Sequence, residues 1–583
     1  MKKFLLEKIQ EWSQKPFDDQ TQEMVKDLLS KDPKSLEDAF AKDLEFGTGG
    51  MRGIMALGSN RMNLYTIAKA TLGVARYFSK KQPNKPLSAV ISYDARHNSL
   101  EFAKKAAAVL ADNKITVYFT PQIRPTPFVS FLIRYFKADF GIMITASHNP
   151  KTYNGYKVYG HDGAQVVFPD DKGIEQLMKS LSYQELPQDA SFSSPLIQFT
   201  GQKEDLAYLK AIQALALHPK IDLQYGSSLS ILYTNLHGTG LTLLPAALKQ
   251  IGFSNFHIVE KQSSFDGDFP FAPSPNPEDK RALDLGLEEM LNNQYDLFIA
   301  TDPDADRLAA IVLHEKKPVI LTGNEMAILC LYHLLQTYKQ INKLSKDKTV
   351  IASFVTSRLL KRICEQFSVT YEDVLTGFKY IGEKIYHLEQ KGKEENFLFG
   401  AEESYGFLYG TYARDKDGIA ASCLIAEMTL HYKLQNKTLI DALNEIYQTY
   451  GLLKDGQITI ELPIGKEGEL KKEKIMHLFL NHQIQTIDNQ KIVKITNYKE
   501  GFCLDLKTGN KSIIPLPKTD AVAIELEDHS QLIMRPSGTE PKIKIYGNYT
   551  LFSVENIHKA KQDCEKTLNI RLENVKNTLL SLV

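Results

Sequence analysis

Six short apolar runs, each followed by small or charged residues, constrain this chain more than any other feature. They are SAVISYD (88–94), DFGIMIT (139–145), LSILYTN (229–235), YDLFIAT (295–301), TVIASFV (349–355) and NFLFGAE (396–402). Stretches with helical spacing lie between them, near 65–80, 99–112 and 241–251. Buried strands alternating with helices predict α/β units on mostly parallel or mixed sheets. A chain of 583 residues has room for about three to five such domains. Leu, Phe and Met recur at helical spacing over residues 1–44, which predicts a helical N-terminal extension. After residue 450 the runs shorten to KIVKIT, AVAIEL, QLIMRP and KIKIYG, with a helix-like stretch from 553 onward. That change predicts a smaller α+β domain at the end.

Composition narrows the partners. Lys+Arg and Asp+Glu both number 70, so the formal net charge is zero. Such a balance points away from nucleic acid or an anionic membrane as the main partner, and any anion site must be built locally. The five cysteines, Cys330, Cys364, Cys423, Cys503 and Cys564, form no CxxC pair. They read as reduced thiols of a cytoplasmic protein. The opening MKKFLLEKIQEW starts like a signal peptide, but Glu7 and Lys8 interrupt it before an apolar region forms. No run approaches the roughly 18 apolar residues of a membrane span.

Four segments carry chemistry. In ATDPDADRLA, Asp302, Asp304 and Asp306 alternate directly after an apolar strand. On a straight strand they would line one face about 7 Å apart; a loop can instead turn their oxygens inward around a hard cation. Magnesium suits such a set, because it takes oxygen ligands and keeps positions for phosphate or water. A solvated acidic turn is the plainer reading. A calcium EF-hand would need Gly and Glu where Arg307 and Leu313 stand, and an aspartyl phosphatase would have Thr or Val in place of Asp306. In GIMITASHNP, Ser147 follows a buried strand, where open α/β sheets place ligand chemistry; a turn or cap before Pro150 is the alternative. No G-x-S-x-G elbow surrounds Ser147, and His148 should point away from it if the segment is extended. In MRPSGTEPK, Arg535, Ser537, Gly538 and Thr539 can offer an anion a guanidinium fork, hydroxyls and close backbone N–H groups; taken alone, such a turn is more often structural. In GAEESYG, Glu402 and Ser404 can receive sugar hydroxyls, with an ordinary polar loop as the plainer reading.

Taken in this order, the four segments resemble the active-site signatures of the α-D-phosphohexomutase superfamily, which includes phosphoglucomutase and phosphomannomutase. FGTGGMRG (46–53), SYDAR (92–96), YNGYK (153–157) and TGFKYIG (376–382) extend the likeness from about residue 45 to about 546. The resemblance implies four domains around a central cleft, three related α/β domains with mixed sheets plus a smaller C-terminal α+β domain. The expected boundaries give 1–205, 206–322, 323–450 and 451–583. It implies Ser147 as phosphoryl carrier, with Asp302, Asp304, Asp306 and a phosphoserine oxygen holding Mg2+. Glu402 and Ser404 would read the sugar, and Arg535, Ser537, Gly538 and Thr539 would grip its non-reacting phosphate. Arg52, His148, Lys157, Arg307 and Lys379 match further active-site positions; Lys157 is the first candidate for general acid/base and His148 the second. The implied activity is a mutase acting on sugar phosphates, with glucose 1,6-bisphosphate as intermediate and activator. Ala401 before the glutamate and GTGG in the first motif depart from the commoner pattern. With the long N-terminus they suggest a subgroup of phosphoglucomutases and phosphopentomutases. Glucose 1-phosphate and glucose 6-phosphate are the first expectation for the substrates, with mannose and pentose phosphates as alternatives; phosphatase and bisphosphate synthase are the rival activities. A non-catalytic binding protein should lack an essential residue, yet Ser147, the three aspartates and Arg535 are all present.

Overall fold

The computed structural model describes residues 3–47, 50–463, 466–480, 484–536, 542–552, 554 and 556–582. The chain packs as two compact units. One comprises Met1–Leu321, Phe378–Gly400 and Ser404–Gln435; the other comprises Thr322–Gly377, Ala401–Glu403 and Asn436–Val583.

The first unit begins with helices Lys3–Trp12, Asp19–Lys31 and Pro33–Phe40. Their apolar faces close around Trp12, which stacks on Phe17 and meets Phe40, Tyr65 and Tyr183 edge-on. Six strands then form a sheet: β1 (Gly50–Ile54), β2 (Ser88–Tyr93), β3 (Thr116–Phe119), β4 (Phe140–Ile144), β5 (Tyr153–Gly160) and β6 (Ile197–Phe199). Their spatial order is β1-β5-β4-β2-β3-β6. The strands β4, β2, β3 and β6 run parallel, while β5 and β1 add an antiparallel edge. Ala, Ile, Val and Phe side chains fill both faces of the parallel core, which is why its strands read as unbroken apolar runs.

The second sheet of this unit repeats the plan. It contains β7 (Ile231–Thr234), β8 (Phe256–Ile258), β9 (Leu297–Thr301), β10 (Leu308–His314) and β11 (Lys317–Ile320), in the order β11-β10-β9-β7-β8. Here β8, β7 and β9 are parallel, and β10 and β11 are antiparallel. In both sheets a parallel strand ends in a loop and an antiparallel strand returns beside it. The serine segment follows β4 and the aspartate segment follows β9.

In the second unit, β12 (Thr349–Ser353) pairs in parallel with β13 (Thr370–Val374). Helix Gly323–Gln340 precedes them, capped by Thr322 and Glu325. Strands β14 (Phe397–Glu402) and β15 (Gly406–Leu408) follow in the chain. The C-terminal sheet is antiparallel: β16 (Leu452–Glu461), β17 (Thr486–Ile487), β18 (Gln490–Asn497), β19 (Phe502–Asp505), β20 (Lys511–Ile513), β21 (Val522–Leu526), β22 (Gln531–Pro536) and β23 (Lys542–Leu551). Its closing helix, Ile557–Ser581, lies on β16 and β23. Gly456 and Gly547 face each other there, and a Cβ on either would come within 3.1 Å of Leu568 or Leu532. Two bare backbones let Leu568 and Leu572 settle onto the sheet. Among the described residues no helix is long and apolar enough to cross a membrane.

Candidate active site

Register brings two loops together at the end of the first sheet. Tyr93 of β2 pairs with Ile144 of β4, so Asp94–Arg96 emerges beside Thr145–Ser147. Arg96 is buried and spreads its guanidinium over the serine loop. Its Nη2 donates to the carbonyls of Ser147 and Asn149, both at 2.5 Å, and its Nη1 to those of Pro150 and Tyr153 at 2.9 and 3.1 Å. Asp94 lies 3.3 Å from Arg96 Nε and accepts from the Ser99 hydroxyl at 2.6 Å. On the other side β5 comes close: a Cβ at Gly155 would sit 2.3 Å from the carbonyl of Thr145.

Within this frame Ser147 is buried and left-handed, with φ of 52°. Its N–H donates to Thr145 Oγ1 at 2.8 Å, and its Oγ donates to Asp302 Oδ2 at 2.7 Å. His148 Nδ1 lies 3.2 Å from the same Oγ. The extended geometry expected for this pair is therefore not what forms. The left-handed turn at Ser147 brings neighbouring side chains to one side, where an extended segment would have sent them apart. Burial of the His148 ring, together with the Arg307 and Arg52 guanidinium groups, pushes its imidazole well below the ordinary range, so the ring is neutral.

The aspartate loop is pinned from three directions. Thr126 N–H donates to the carbonyl of Asp304, Thr239 N–H to that of Pro303 and Gly418 N–H to that of Ala305, at 2.7–3.1 Å. Ala305 turns through a φ of 51°, and the Asp302 carboxylate caps the N–H of Arg307 at 3.0 Å. One oxygen from each aspartate then falls within 4.8 Å of the others, all three buried. Lys157 Nζ bridges Asp304 at 2.7 Å and Asp306 at 3.2 Å, Lys416 Nζ reaches Asp306 at 3.1 Å, and Thr126 Oγ1 donates to Asp304 at 2.7 Å. Burial would discharge Lys157, but Asp304 and Asp306 outweigh it and raise its pKa. Burial and the charges of Asp304 and Asp306 hold the Asp302 carboxyl well above its usual range. Burial acts the same way on Asp306, but Lys416, Lys157 and Arg307 override it and hold that group low.

Two lysines do not satisfy the cluster. The Oδ1 atoms of Asp304 and Asp306 are buried with no hydrogen-bond partner among the described residues. Buried carboxylate oxygens seldom stay unpaired, and an all-oxygen set this tight fits a hard divalent cation.

Other expected residues fall in several places. Arg52, exposed on β1, donates to Asn149 Oδ1 at 2.7 Å. Arg307 pairs with Glu278 at 3.0 Å and stands 3.9 Å from Asp306. Lys379 is buried at the start of helix Lys379–Gln390, and its ion-pair partner is Asp171 at 3.7 Å, not an aspartate of the loop. Ser404 is half-buried in the first unit. In the second unit, Glu402 accepts the N–H of Gly377 at 2.8 Å, and Arg535 is half-buried on β22 opposite Lys544. Ser537, Gly538 and Thr539 lie outside the described residues.

Residues 43–185, 207–315 and 322–450 match three family domains, described as phosphoglucomutase/phosphomannomutase alpha/beta/alpha domains I, II and III. The chain belongs to the phosphoglucomutase/phosphomannomutase family. Membership makes it an enzyme of the isomerase class, a phosphohexomutase. A phosphoglucomutase of Staphylococcus aureus (strain bovine RF122 / ET3-1) is 39% identical over 515 residues, 87% of this chain and 90% of that one. The protein of strain MRSA252 is 38% identical over 514 residues. Two solved structures share the fold. Paramecium pp63/parafusin in its open form gives a TM-score of 0.66 at 18% identity, covering 93% of this chain and 96% of that one. A phosphoglucomutase/phosphomannomutase family protein from Burkholderia thailandensis gives 0.61 at 16%, covering 90% and 96%.

Arg96, Thr126 and Lys416 join the site in the structure without being among the residues expected from sequence. Arg96 sits in the SYDAR motif, and Lys416 in the charged run ARDKDG, so both had a visible signal. Thr126, on a helix far away in sequence, had none.

Proposed function

We propose that this member of the family is a phosphoglucomutase, which interconverts glucose 1-phosphate and glucose 6-phosphate through a phosphoserine at Ser147 and glucose 1,6-bisphosphate. The observation that carries the reading is the 2.7 Å contact between Ser147 Oγ and the first aspartate of a three-carboxylate loop. The choice of glucose is supported by the 39%-identical relatives named phosphoglucomutase.

In the proposed cycle Ser147 Oγ begins phosphorylated. The C6 hydroxyl of glucose 1-phosphate attacks the phosphorus, the bond from phosphorus to Oγ breaks, and the hydroxyl proton leaves to a base. The resulting bisphosphate turns end for end. Its C1 phosphoryl group then passes back to Oγ, and glucose 6-phosphate departs. Because phosphoryl transfer is mainly positioning and charge compensation, the surroundings of Oγ matter most. Arg96 fixes the backbone from the nucleophile onward, at Ser147, Asn149, Pro150 and Tyr153. We assign proton transfer to Lys157, with His148 second. Lys157 is held as an ammonium between Asp304 and Asp306, which supports a donor role. The neutral ring of His148, 3.2 Å from Oγ, supports an acceptor role. Arg52 and Arg307 would counter phosphoryl charge. Asp302, Asp304, Asp306 and an oxygen on Ser147 would hold magnesium, which when bound supplies positive charge against the transferring group. In the second unit the proposal gives Glu402 a sugar-hydroxyl contact, as it does Ser404 of the first unit. Arg535 with Ser537, Gly538 and Thr539 would take the non-reacting phosphate, and Lys379 would assist in substrate binding.

Division into domains 1–205, 206–322, 323–450 and 451–583 belongs to the same proposal, supported by the spans of the three matched family domains. All five cysteines are free thiols, four of them buried, which supports a reducing, cytoplasmic setting. The test is a parallel mutase assay on glucose, mannose, glucosamine and ribose monophosphates with catalytic glucose 1,6-bisphosphate. The highest kcat/KM should belong to glucose phosphate. A higher value for mannose or ribose phosphate would move the assignment to that sugar.

A further inference from the structure

The second unit contains a cleft that the proposed reaction does not use. Its volume is about 420 Å3, within the range of roughly 300–1,000 Å3 typical of small-molecule sites. One wall is the start of helix Leu359–Gln366, with Arg358, Lys361 and Arg362; the other is the C-terminal sheet, with Lys494, Gln531 and Asn548. Gln531 opens β22, and Asn548 is its register partner on β23. Arg535 lies four residues further along β22, a rise of about 13 Å, and the chain leaves the strand after Pro536. The cleft is therefore at the opposite end of this hairpin from the segment assigned to the non-reacting phosphate.

Its walls carry an excess of positive charge. Four Lys or Arg side chains face two carboxylates, Asp373 and Glu525. The guanidinium groups are held in place with donors to spare. Arg358 uses Nη1 on Asp373 at 2.8 Å and Nε on Gln531 Oε1 at 3.4 Å. Arg362 uses Nη1 on the carbonyl of Tyr450 at 2.6 Å and lies over the Phe552 ring, 4.8 Å from its centroid. Each guanidinium has five N–H donors in all. Lys494 is paired with Glu525 at 3.1 Å, whereas Lys361 is exposed and makes no ion pair with a described residue. Thr496, Asn548 and Thr550 add neutral polar groups, and the exposed ring of Phe552 adds a flat apolar wall. Fixed guanidinium forks beside lysine ammonium groups match phosphate oxygens better than a single carboxylate, and the volume exceeds what one phosphate ion would fill.

We propose that this cleft binds a phosphorylated small metabolite carrying two or more negative charges, at a site separate from Ser147. Occupancy would also brace the chain across Tyr450–Gly451. The helix on one wall precedes that junction and the sheet on the other follows it. Gly451 is left-handed at φ 91°, and a Cβ there would lie 2.7 Å from Arg362 Nη1. A ligand held by both walls would fasten them together at the point where the backbone turns.

The test is isothermal titration of the full chain with inorganic pyrophosphate, comparing the unaltered protein with Lys361→Glu, Lys494→Gln and Arg535→Ala. Lys361 and Lys494 lie outside the proposed catalytic machinery, and both are at the surface of the cleft, so neither change threatens folding. The expected result is a pyrophosphate site that persists in Arg535→Ala and weakens at least about tenfold in each lysine variant, in line with loss of one charged contact. The KM for glucose 6-phosphate should stay unchanged in both lysine variants. Pyrophosphate affinity unaltered by Lys361→Glu and Lys494→Gln, or no binding beyond what Arg535→Ala removes, would overturn the proposal and leave a water-filled crevice. Binding is read directly, so the result does not depend on which sugar the enzyme turns over.

Discussion

Replacing Arg96 by Lys should slow the enzyme without unfolding it. The arginine donates to four backbone carbonyls, those of Ser147, Asn149, Pro150 and Tyr153, while facing Asp94. Lysine keeps the positive charge near Asp94 but has one nitrogen, which cannot span two pairs of acceptors. At least two of the four bonds are then lost, each worth about 1.5 kcal/mol or more for a charged donor, so stability should fall by roughly 3 kcal/mol. Alanine would be harsher, because it strands Asp94 as an unpaired buried charge, a change that costs about 3–5 kcal/mol. The larger effect is on the reaction. Ser147 holds a left-handed backbone at φ 52°, and a shift of about 1 Å in a reacting group can reduce the rate 100-fold. Arg96→Lys should therefore lower kcat about 10- to 100-fold, with KM changed far less, since Arg96 does not touch the sugar in this account. A coupled assay for glucose 6-phosphate formation, with a melting curve on the same preparation, measures both quantities. An Arg96→Lys enzyme with normal kcat would show that the serine loop keeps its shape without the fork.

Chelation should abolish activity and magnesium restore it, with Asp304→Asn raising the magnesium requirement; full activity in excess chelator, with no metal retained, would remove the ion from the account. Arg535→Ala should weaken glucose 1-phosphate and glucose 6-phosphate alike, by roughly 10- to 150-fold for one charged contact, as read by calorimetric titration. A third outcome concerns Glu427, buried beside Asp222 and pushed up to about 9, first by burial and then by that neighbour's charge. Its folded pKa lies above the unfolded value near 4.5, so the folded state holds a proton that the unfolded state has released. Stability from this group is full below about pH 4.5 and is lost as pH rises toward 9. Glu427→Gln should raise the melting temperature at pH 8–9, with the gain shrinking toward pH 5; a gain independent of pH would mean that the carboxyl is not protonated in the fold.

Legibility in the sequence followed the range of the interactions. Strands such as Leu297–Thr301 and Phe140–Ile144 stood out because burial on both faces makes them continuous apolar runs. The antiparallel returns β5 and β10 carry no signature of that pairing, since nothing local distinguishes a strand that adds to a sheet edge from one that crosses over. The grouping of Ser147 with Asp302 came from resemblance alone, as 155 residues separate them and no local pattern reports that contact. Conformation was the least visible property. The TASHNP segment contains no glycine at Ser147, so its left-handed turn has no signature, and an extended segment would send His148 away from Ser147. Lys416 could have been found, because a lysine amid ARDKDG has to neutralise something, but its partner Asp306 lies on another loop.

Ser147 as covalent carrier is the central claim. Protein incubated with glucose 1,6-bisphosphate, quenched and digested, should yield one phosphoryl group per chain, on the peptide that contains Ser147. Adding unlabelled glucose 1-phosphate or glucose 6-phosphate should discharge that group within a single turnover. Ser147→Ala should take up none and should lose at least about 10³-fold in turnover. A phosphoryl group found on a different residue, or near-normal turnover in the Ser147→Ala protein, would contradict the account.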